Sequence, residues 1–96
     1  MDINKLIQVK REEILEIAKK HGAYNVRVFG SVSRGEATKE SDIDFLVSVG
    51  EDHSAWFPAG LVADLQDLLG TNVDVVTENG LHWYIRDIIL NEAVEL

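Results

Sequence analysis

Cysteine is absent from this 96-residue chain, and proline occurs only once. Without cysteine the protein can form neither disulfide bonds nor a cysteine-ligated zinc site, which fits a reducing, cytoplasmic compartment. Also missing is any apolar run long enough to span a bilayer. The first residues, MDINKLIQVKREE, lack the basic and apolar regions of a secretory signal. We therefore expect a cytoplasmic protein that does not associate with membranes.

Basic residues are few, since Lys and Arg total 9 against 17 Asp and Glu, for a formal net charge of -8. Nucleic-acid binding depends mainly on Lys and Arg contacts to phosphates, so this composition predicts no direct binding to DNA or RNA. The negative charge also opposes the approach of any polyanion unless a metal ion or a local arginine intervenes.

Linkers, internal repeats and low-complexity segments are also missing, and the length predicts one domain over residues 1–96. Apolar residues three and four apart predict helices over 3–20, 58–69 and 81–93. Alternating or β-branched runs predict strands over 25–29, 43–49 and 73–77. The last helix is predicted to turn six side chains inward: Leu81, Tyr84, Ile85, Ile88, Ile89 and Ala93. This order of elements is typical of an α/β domain in which helices cover a small sheet.

Two aspartates, Asp42 and Asp44, stand at the start of the second predicted strand. Side chains two residues apart on a strand point to the same face, so both carboxylates should lie on one face while Ile43 and Phe45 enter the core. Asp74 has the same relation to its β-branched neighbours in the third strand, and it would join the pair if the two strands are adjacent. Three carboxylates on one patch repel one another and raise each other's pKa values.

A divalent cation would relieve that repulsion. Mg²⁺ takes oxygen ligands from one or two carboxylates together with substrate phosphates, and two such ions can clamp a phosphoryl transfer. The competing interpretation is an ordinary solvated turn, which a D-x-D pair at the edge of a strand more often marks.

A Gly-Ser pair, Gly30 and Ser31, directly follows the first predicted strand. Glycine allows the backbone to approach a ligand closely. If a helical turn begins after Ser31, its free N–H groups form an anion site, and Arg34 is near enough in sequence to contact phosphate oxygens. The alternative is a tight loop in which Ser31 caps a helix and Arg34 lies in solvent.

The combination of these elements is more specific than any one of them. Gly30-Ser31, ten intervening residues and Asp42-x-Asp44, followed by an aspartate on a later strand, resemble the pattern of the DNA polymerase β-like nucleotidyltransferase superfamily. The segment FGSVSRGEATKESDIDFLV matches the core of that pattern, and NVDVVT resembles the strand that carries a third carboxylate. The tail ENGLHWYIRDIILNEAVEL resembles the C-terminal helix of the minimal nucleotidyltransferase (MNT) subfamily. The resemblance covers nearly the whole chain and implies a nucleotidyltransferase fold, with a small mixed β-sheet flanked by helices.

The resemblance also implies roles for the residues that match the first motif. Gly30 and Ser31 would hold the phosphates of the nucleotide, and we assign Arg34 to the same phosphate-binding group. Asp42 and Asp44 would bind Mg²⁺, which would be required together with ATP as the co-substrate.

A third carboxylate, in such proteins, completes the metal site and helps to activate the attacking hydroxyl. We assign this role to Asp74, because the β-branched residues on either side of it define the direction of its side chain. Glu78 is the alternative, since it has the same parity along the strand, but it lies near the predicted turn at 78–80. No residue of the motif is missing, so the sequence predicts an active enzyme.

MNT proteins of this kind resemble antitoxins that pair with a HEPN-domain RNase toxin. The resemblance therefore implies an enzyme that transfers AMP from ATP to a tyrosine of the toxin and so neutralises it, within a hetero-oligomer. Two alternatives remain open at this stage: a non-catalytic antitoxin that masks the toxin by binding, and a nucleotidyltransferase that acts on a small molecule. The short length argues against the second, since it leaves no room for a domain that binds such an acceptor.

Two aromatic segments are candidates for the surface that binds a partner, because Trp and Arg are common interface anchors. They comprise Trp56, Phe57 and Pro58 before the second predicted helix, and His82, Trp83 and Arg86 on the last one. The alternative is that both tryptophans are half-buried packing residues. His53 and His82 have no ligand-like neighbours in sequence and are interpreted as residues that bind no metal.

Overall fold

The computed structural model describes residues 2–38, 40–50 and 57–96. The helices are α1 (Ile3–Val9), α2 (Arg11–Lys20), α3 (Ala59–Leu69) and α4 (Trp83–Glu92), with one 3₁₀ turn at Glu78–Gly80. The strands are β1 (Ala23–Phe29), β2 (Ile43–Val49), β3 (Val73–Thr77) and β4 (Val94–Glu95). Over these three ranges, none of the helices is both long and apolar enough to cross a membrane.

The four strands form one mixed sheet in the order β3-β2-β1-β4. β1 pairs antiparallel with β2 and with β4, whereas β2 pairs parallel with β3. The parallel pair needs a crossover connection, and α3 supplies it. The predicted small mixed sheet flanked by helices is thus confirmed, and two strand ranges, 43–49 and 73–77, match the prediction at both ends.

The core lies between one face of this sheet and helices α1 to α3. Ile43, Phe45 and Val47 of β2 are at most 1% exposed, as the alternation in the sequence predicts. They pack in one cluster with residues of all three helices. The opposite face of the sheet, which we call the second face, carries the residues of alternate parity, including Asp44 and the fully buried Leu46.

The predicted helix over residues 3–20 is wrong in one respect, because the chain bends at Lys10 and forms two helices. Lys10 has φ -97° and ψ 9°, which ends α1 and begins α2. Its N–H still donates to the carbonyl of Leu6, and its carbonyl accepts from Ile14, so the backbone ladder continues through the bend. At the helical spacing of the apolar stripe, the positions between Ile7 and Ile14 are Lys10 and Arg11, and Val9 points to solvent at 60% exposure. No buried apolar side chain therefore holds the two halves in line.

The C-terminal region also departs from the prediction. None of the residues of α4 is fully buried, and Tyr84 and Ile88, predicted to point inward, are 62% and 65% exposed. Two of the six side chains predicted to point inward thus face solvent, and the other four are half-buried. Beyond it, β4 was not predicted, because two residues are too few to show any periodicity.

Candidate active site

Asp44 and Asp74 lie directly opposite each other in the parallel pairing of β2 with β3. Adjacent strands are about 4.8 Å apart, so the two side chains emerge next to each other on the second face. Asp42 precedes β2, is exposed, and adds its negative charge to the field at Asp44. The structure therefore brings the three sequence-predicted aspartates to one end of the sheet.

Asp44 is the electrostatic centre of this group. Burial raises the pKa of its carboxyl above the ordinary value, and the charges of Asp74, Asp42 and Glu92 raise it further, while Arg34 opposes them. Ionised Asp44 is therefore held in an unfavourable field, which a bound cation would relieve.

The donor set at this place fits Mg²⁺, which prefers carboxylate oxygens from one or two residues and completes its shell with water and phosphate. The side chains of the described segments, as they stand, form no group of three or more acidic or histidine residues close enough to hold an ion alone. The aspartates would thus share a metal ion with the phosphates of a substrate.

Gly30 lies against Asp44, because the residue before it, Phe29 at the end of β1, is paired with Asp44. A Cβ atom at Gly30 would lie 2.5 Å from Oδ2 of Asp44, and the φ of Gly30 is +73°, in the left-handed region. No other residue type fits both conditions without displacement or strain. Glycine at this position therefore allows the carboxylate of Asp44 to pack directly against the backbone of the turn.

The loop after Gly30 is a series of turns, and no helix begins after Ser31. It is closed by hydrogen bonds from the Arg34 N–H to the Gly30 carbonyl, at 3.2 Å, and from the Glu36 N–H to the Ser31 carbonyl, at 2.9 Å. The side chain of Ser33, which sequence reasoning did not single out, donates to the same Gly30 carbonyl at 2.9 Å. The alternative in which Ser31 caps a helix is therefore wrong, and the helical turn on which the predicted anion site depended is also not formed.

Glu92, at the end of α4, is a second residue that the sequence did not reveal. Its Oε2 accepts a hydrogen bond from the Gly30 N–H at 3.2 Å, and its Oε1 pairs with the guanidinium of Arg34. Arg34 also donates to Glu36 at 3.0 Å, and these two carboxylates raise the pKa of the guanidinium, Glu36 more than Glu92. A contact between residues 62 positions apart leaves no local signal in a sequence.

Glu78, the alternative third carboxylate, lies elsewhere. It follows β3 four residues after Asp74, on the order of 13 Å along the strand. Its Oε2 accepts from Arg27 at 3.0 Å and its Oε1 from Arg86 at 3.5 Å. The hydrogen bond from Arg27 is the main reason why the pKa of Glu78 falls below its usual value. Glu78 is thus an ion-pair residue at the opposite end of the second face.

The predicted docking segments are only partly described. Trp56 and His53 lie outside the described residues, while Phe57 is half-buried and Pro58 is exposed. Trp83 is 85% exposed, so the alternative that it is a packing residue is wrong. His82 is also exposed, and Arg86 donates to the backbone carbonyl of Glu78 at 2.9 Å.

This fold, with paired aspartates on adjacent strands beside a glycine-containing turn, is that of a nucleotidyltransferase. Residues 11–96 match the family described as the nucleotidyltransferase domain. The chain belongs to this family and is a nucleotidyltransferase.

Two relatives indicate which kind of nucleotidyltransferase this chain resembles. The chain is 43% identical over 96 residues to MJ0435 of Methanocaldococcus jannaschii, named as a candidate protein adenylyltransferase, with 100% of this chain and 99% of that protein covered. It is 34% identical over 93 residues to the protein adenylyltransferase MntA of Thermococcus cleftensis, with 97% and 91% covered.

Solved structures agree with the fold. One described as a candidate minimal nucleotidyltransferase superimposes with a TM-score of 0.88 at 44% identity, over 100% of this chain and 97% of that one. A crystal structure of a toxin–antitoxin with AMP-PNP has a TM-score of 0.75 at 20% identity, over 88% and 69% of the two chains. This second likeness concerns the fold alone.

Proposed function

We propose that this protein is an antitoxin that transfers AMP from ATP, with Mg²⁺, to a tyrosine hydroxyl of a cognate HEPN-domain RNase toxin and so neutralises it. The observation that carries the proposal is the pairing of Asp44 with Asp74, beside a turn whose glycine, Gly30, brings the backbone into direct contact with the Asp44 carboxylate. The names of the two relatives, both protein adenylyltransferases, support a protein as the acceptor.

In this proposal Asp42, Asp44 and Asp74 hold the metal, which would neutralise charge on the phosphates when bound. The N–H of Gly30, the turn at Ser31 and the guanidinium of Arg34 bind the triphosphate. These groups supply positioning and charge, which account for most of the catalysis in phosphoryl transfer.

The reaction is a displacement at the α-phosphorus. The tyrosine oxygen bonds to the α-phosphorus of ATP while the bond to pyrophosphate breaks, and the hydroxyl proton passes to the carboxylate of Asp74. Asp74 is exposed, so an acceptor from another protein can reach it. Asp44, which is half-buried between the strands, is less accessible to a second protein and suits metal binding.

The toxin would bind within a hetero-oligomer in the cytoplasm. The exposed side of α4, with Trp83, Tyr84 and Ile88, offers apolar and aromatic surface for such a contact.

A second candidate, an antitoxin that masks the toxin without catalysis, is favoured by the same exposed surface on α4. The two candidates differ in their dependence on Asp44. Masking would survive the change Asp44→Asn, whereas neutralisation by AMP transfer would be lost.

The test uses purified protein, Mg²⁺ and ATP labelled on the α-phosphate, with a lysate of the native host as the source of the toxin. A parallel reaction carries the label on the γ-phosphate. Asp44→Asn is compared with Asp67→Asn, an identical change at an exposed position of α3. We expect one protein band labelled from the α-phosphate only, retained in Asp67→Asn and lost in Asp44→Asn.

Other outcomes separate the alternatives. Label in a small molecule would favour an acceptor of that class. Tight binding of a host protein without any transfer of label would favour masking. A band labelled equally from the γ-phosphate would contradict AMP transfer, because that phosphate leaves with pyrophosphate.

A further inference from the structure

The carboxylate of Glu92 binds the same two groups that the proposed function assigns to the nucleotide phosphates, the Gly30 N–H and the Arg34 guanidinium. One oxygen accepts from the Gly30 N–H at 3.2 Å, and the other pairs with the guanidinium of Arg34. The side chain of Glu92 is only 19% exposed, so most of it is packed against the protein. Its two oxygens thus satisfy a backbone donor and a cation in the way that two phosphate oxygens would.

Strand β4 accounts for the position of Glu92. Val94 is paired with Val28, and Glu95 with Arg27, in the antiparallel ladder with β1. Continuing this register by two residues sets Glu92 opposite Gly30. The chain beyond α4 is also held at its end, because the Leu96 N–H donates to the Val26 carbonyl at 3.3 Å.

The energetic setting of Glu92 is mixed. Glu92 is stabilised by a hydrogen bond from the Gly30 N–H and by a charge-assisted one from Arg34. Its negative charge, however, lies close enough to Asp44 to raise the pKa of that carboxyl. A triphosphate with bound cations would make the same hydrogen bonds and also relieve the repulsion at the aspartates. A triphosphate and the carboxylate of Glu92 would therefore compete for the same two donors.

We propose that Glu92 is an internal substitute for a nucleotide phosphate, so that ATP must displace it before it can bind. The proposal rests on the proposed function, since it assumes that ATP binds at Gly30 and Arg34. It makes Glu92 an autoinhibitory residue that lowers the affinity for ATP, and it predicts that the free protein is more stable with Glu92 than without it.

The experiment measures the affinity for AMP-PNP with Mg²⁺ by calorimetry and the melting temperature without ligand. We expect Glu92→Gln to bind AMP-PNP about tenfold more tightly, which corresponds to about 1.4 kcal/mol, the scale of one net hydrogen bond. The same variant should melt at a lower temperature when no nucleotide is present. These opposite changes in one variant are the signature of a displaced internal ligand.

The matched control is Glu95→Gln, which removes the same charge three residues away from an exposed strand position. It should change the affinity for AMP-PNP less than twofold, and so excludes a general effect of the net charge. Glu36→Gln frees Arg34 from its other partner without affecting the Gly30 N–H, and should have a smaller effect than Glu92→Gln. Glu92→Asp keeps the charge but shortens the side chain, and should give an intermediate affinity.

The outcomes distinguish this inference from the proposed function. If the wild type binds AMP-PNP and Glu92→Gln binds it equally or more weakly, the inference is wrong while the nucleotide site stands. If neither protein binds AMP-PNP, both proposals fail. Binding that is measurable only in Glu92→Gln would support the inference, since it would show that Glu92 blocks the site.

Discussion

The two ends of the second face differ in their electrostatics although the same strands build both. At one end Asp44 and Asp74 stand side by side, and burial and like charges raise the pKa of Asp44. At the other end Glu78 lies between Arg27 and Arg86, and the pKa of Glu78 is lowered. The second arrangement stabilises the fold by itself, whereas the first holds Asp44 in an unfavourable field that a bound cation would relieve. A cluster that the fold leaves uncompensated is where a function is best sought.

The largest expected effect is on AMP transfer, and at each end the change in activity should differ from the change in melting temperature. Asp44→Asn should reduce AMP transfer on the order of a thousandfold, since it removes an anionic group from the proposed metal site. It should also raise the melting temperature of the free protein, because it removes a charge from an unfavourable field. Glu78→Gln should do the reverse, lowering the melting temperature while most of the transfer activity remains.

Both variants are checked by transfer of the α-phosphate label and by thermal melting without metal. If Asp44→Asn and Glu78→Gln lost AMP transfer equally, the activity would not depend specifically on the end that carries Asp44 and Asp74.

The second prediction concerns Gly30, which lies against Asp44 at the end of the second face that carries Asp44 and Asp74, here called the aspartate end. Gly30→Ala should destabilise the protein by about 2 kcal/mol or more, because it combines the strain of a left-handed conformation with a clash against Asp44. Gly35→Ala is the matched control, since Gly35 has the same φ of +73° but no atom within 4 Å of an added Cβ. Denaturant unfolding measures both, and an equal loss in the two variants would contradict the close approach of Gly30 to Asp44.

The third prediction uses a ligand in place of a mutation. Mg²⁺ with ATP should raise the melting temperature of the wild type by several degrees, because ligand binding to the folded state alone stabilises it. Glu78→Gln should retain this increase and Asp44→Asn should lose most of it. A wild type that does not respond to Mg²⁺ and ATP would count strongly against a nucleotide site at the aspartate end.

The smallest expected effect is the dependence of stability on pH, which should have opposite signs at the two ends. The folded pKa of Asp44 lies above its ordinary value of 3.8, so the folded state binds the proton more tightly, and stability falls as the pH rises through that folded pKa. Glu78 has a folded pKa below its ordinary value of 4.5, so its contribution is present above 4.5 and is lost as the pH falls through the folded pKa.

Denaturant unfolding of each variant and of the wild type between neutral pH and pH 3 checks this sign. Near pH 7 we expect Asp44→Asn to be more stable than the wild type and Glu78→Gln to be less stable. Both differences should shrink in acid, as the carboxyl groups of the wild type become neutral. A difference that stays constant over the whole range would rule out titration of these two carboxyls as the cause.

Much of the fold could be predicted from local patterns in the sequence. The alternation of Ile43, Asp44 and Phe45 correctly separated the core face from the second face. The helix predicted over 58–69 ends at Leu69 as expected, because Gly70, with φ +68°, caps it. These features depend on neighbours within one or two turns. The break at Lys10 was missed because the predicted stripe bridged the gap between Ile7 and Ile14, where the positions at helical spacing, Lys10 and Arg11, are charged.

For the candidate site, the residue types and their spacing were accessible from sequence, but their grouping was not. Asp74 and Glu78 have the same parity, and only the parallel register of β3 on β2 sets Asp74 against Asp44. Glu92 could not have been found, because its approach to Gly30 depends on the pairing of β4 with β1.

By itself, the sequence determined most of the helices and strands, apart from β4 and the break at Lys10, and it determined which face of β2 is apolar and which motif the loop after β1 carries. The tertiary structure decided which carboxylates meet, which are paired with arginines, and which side of α4 stays in contact with solvent. The physical reason is the range of the interactions. Periodicity and turn chemistry act between near neighbours, whereas strand register and long-range ion pairs exist only once the whole sheet has assembled.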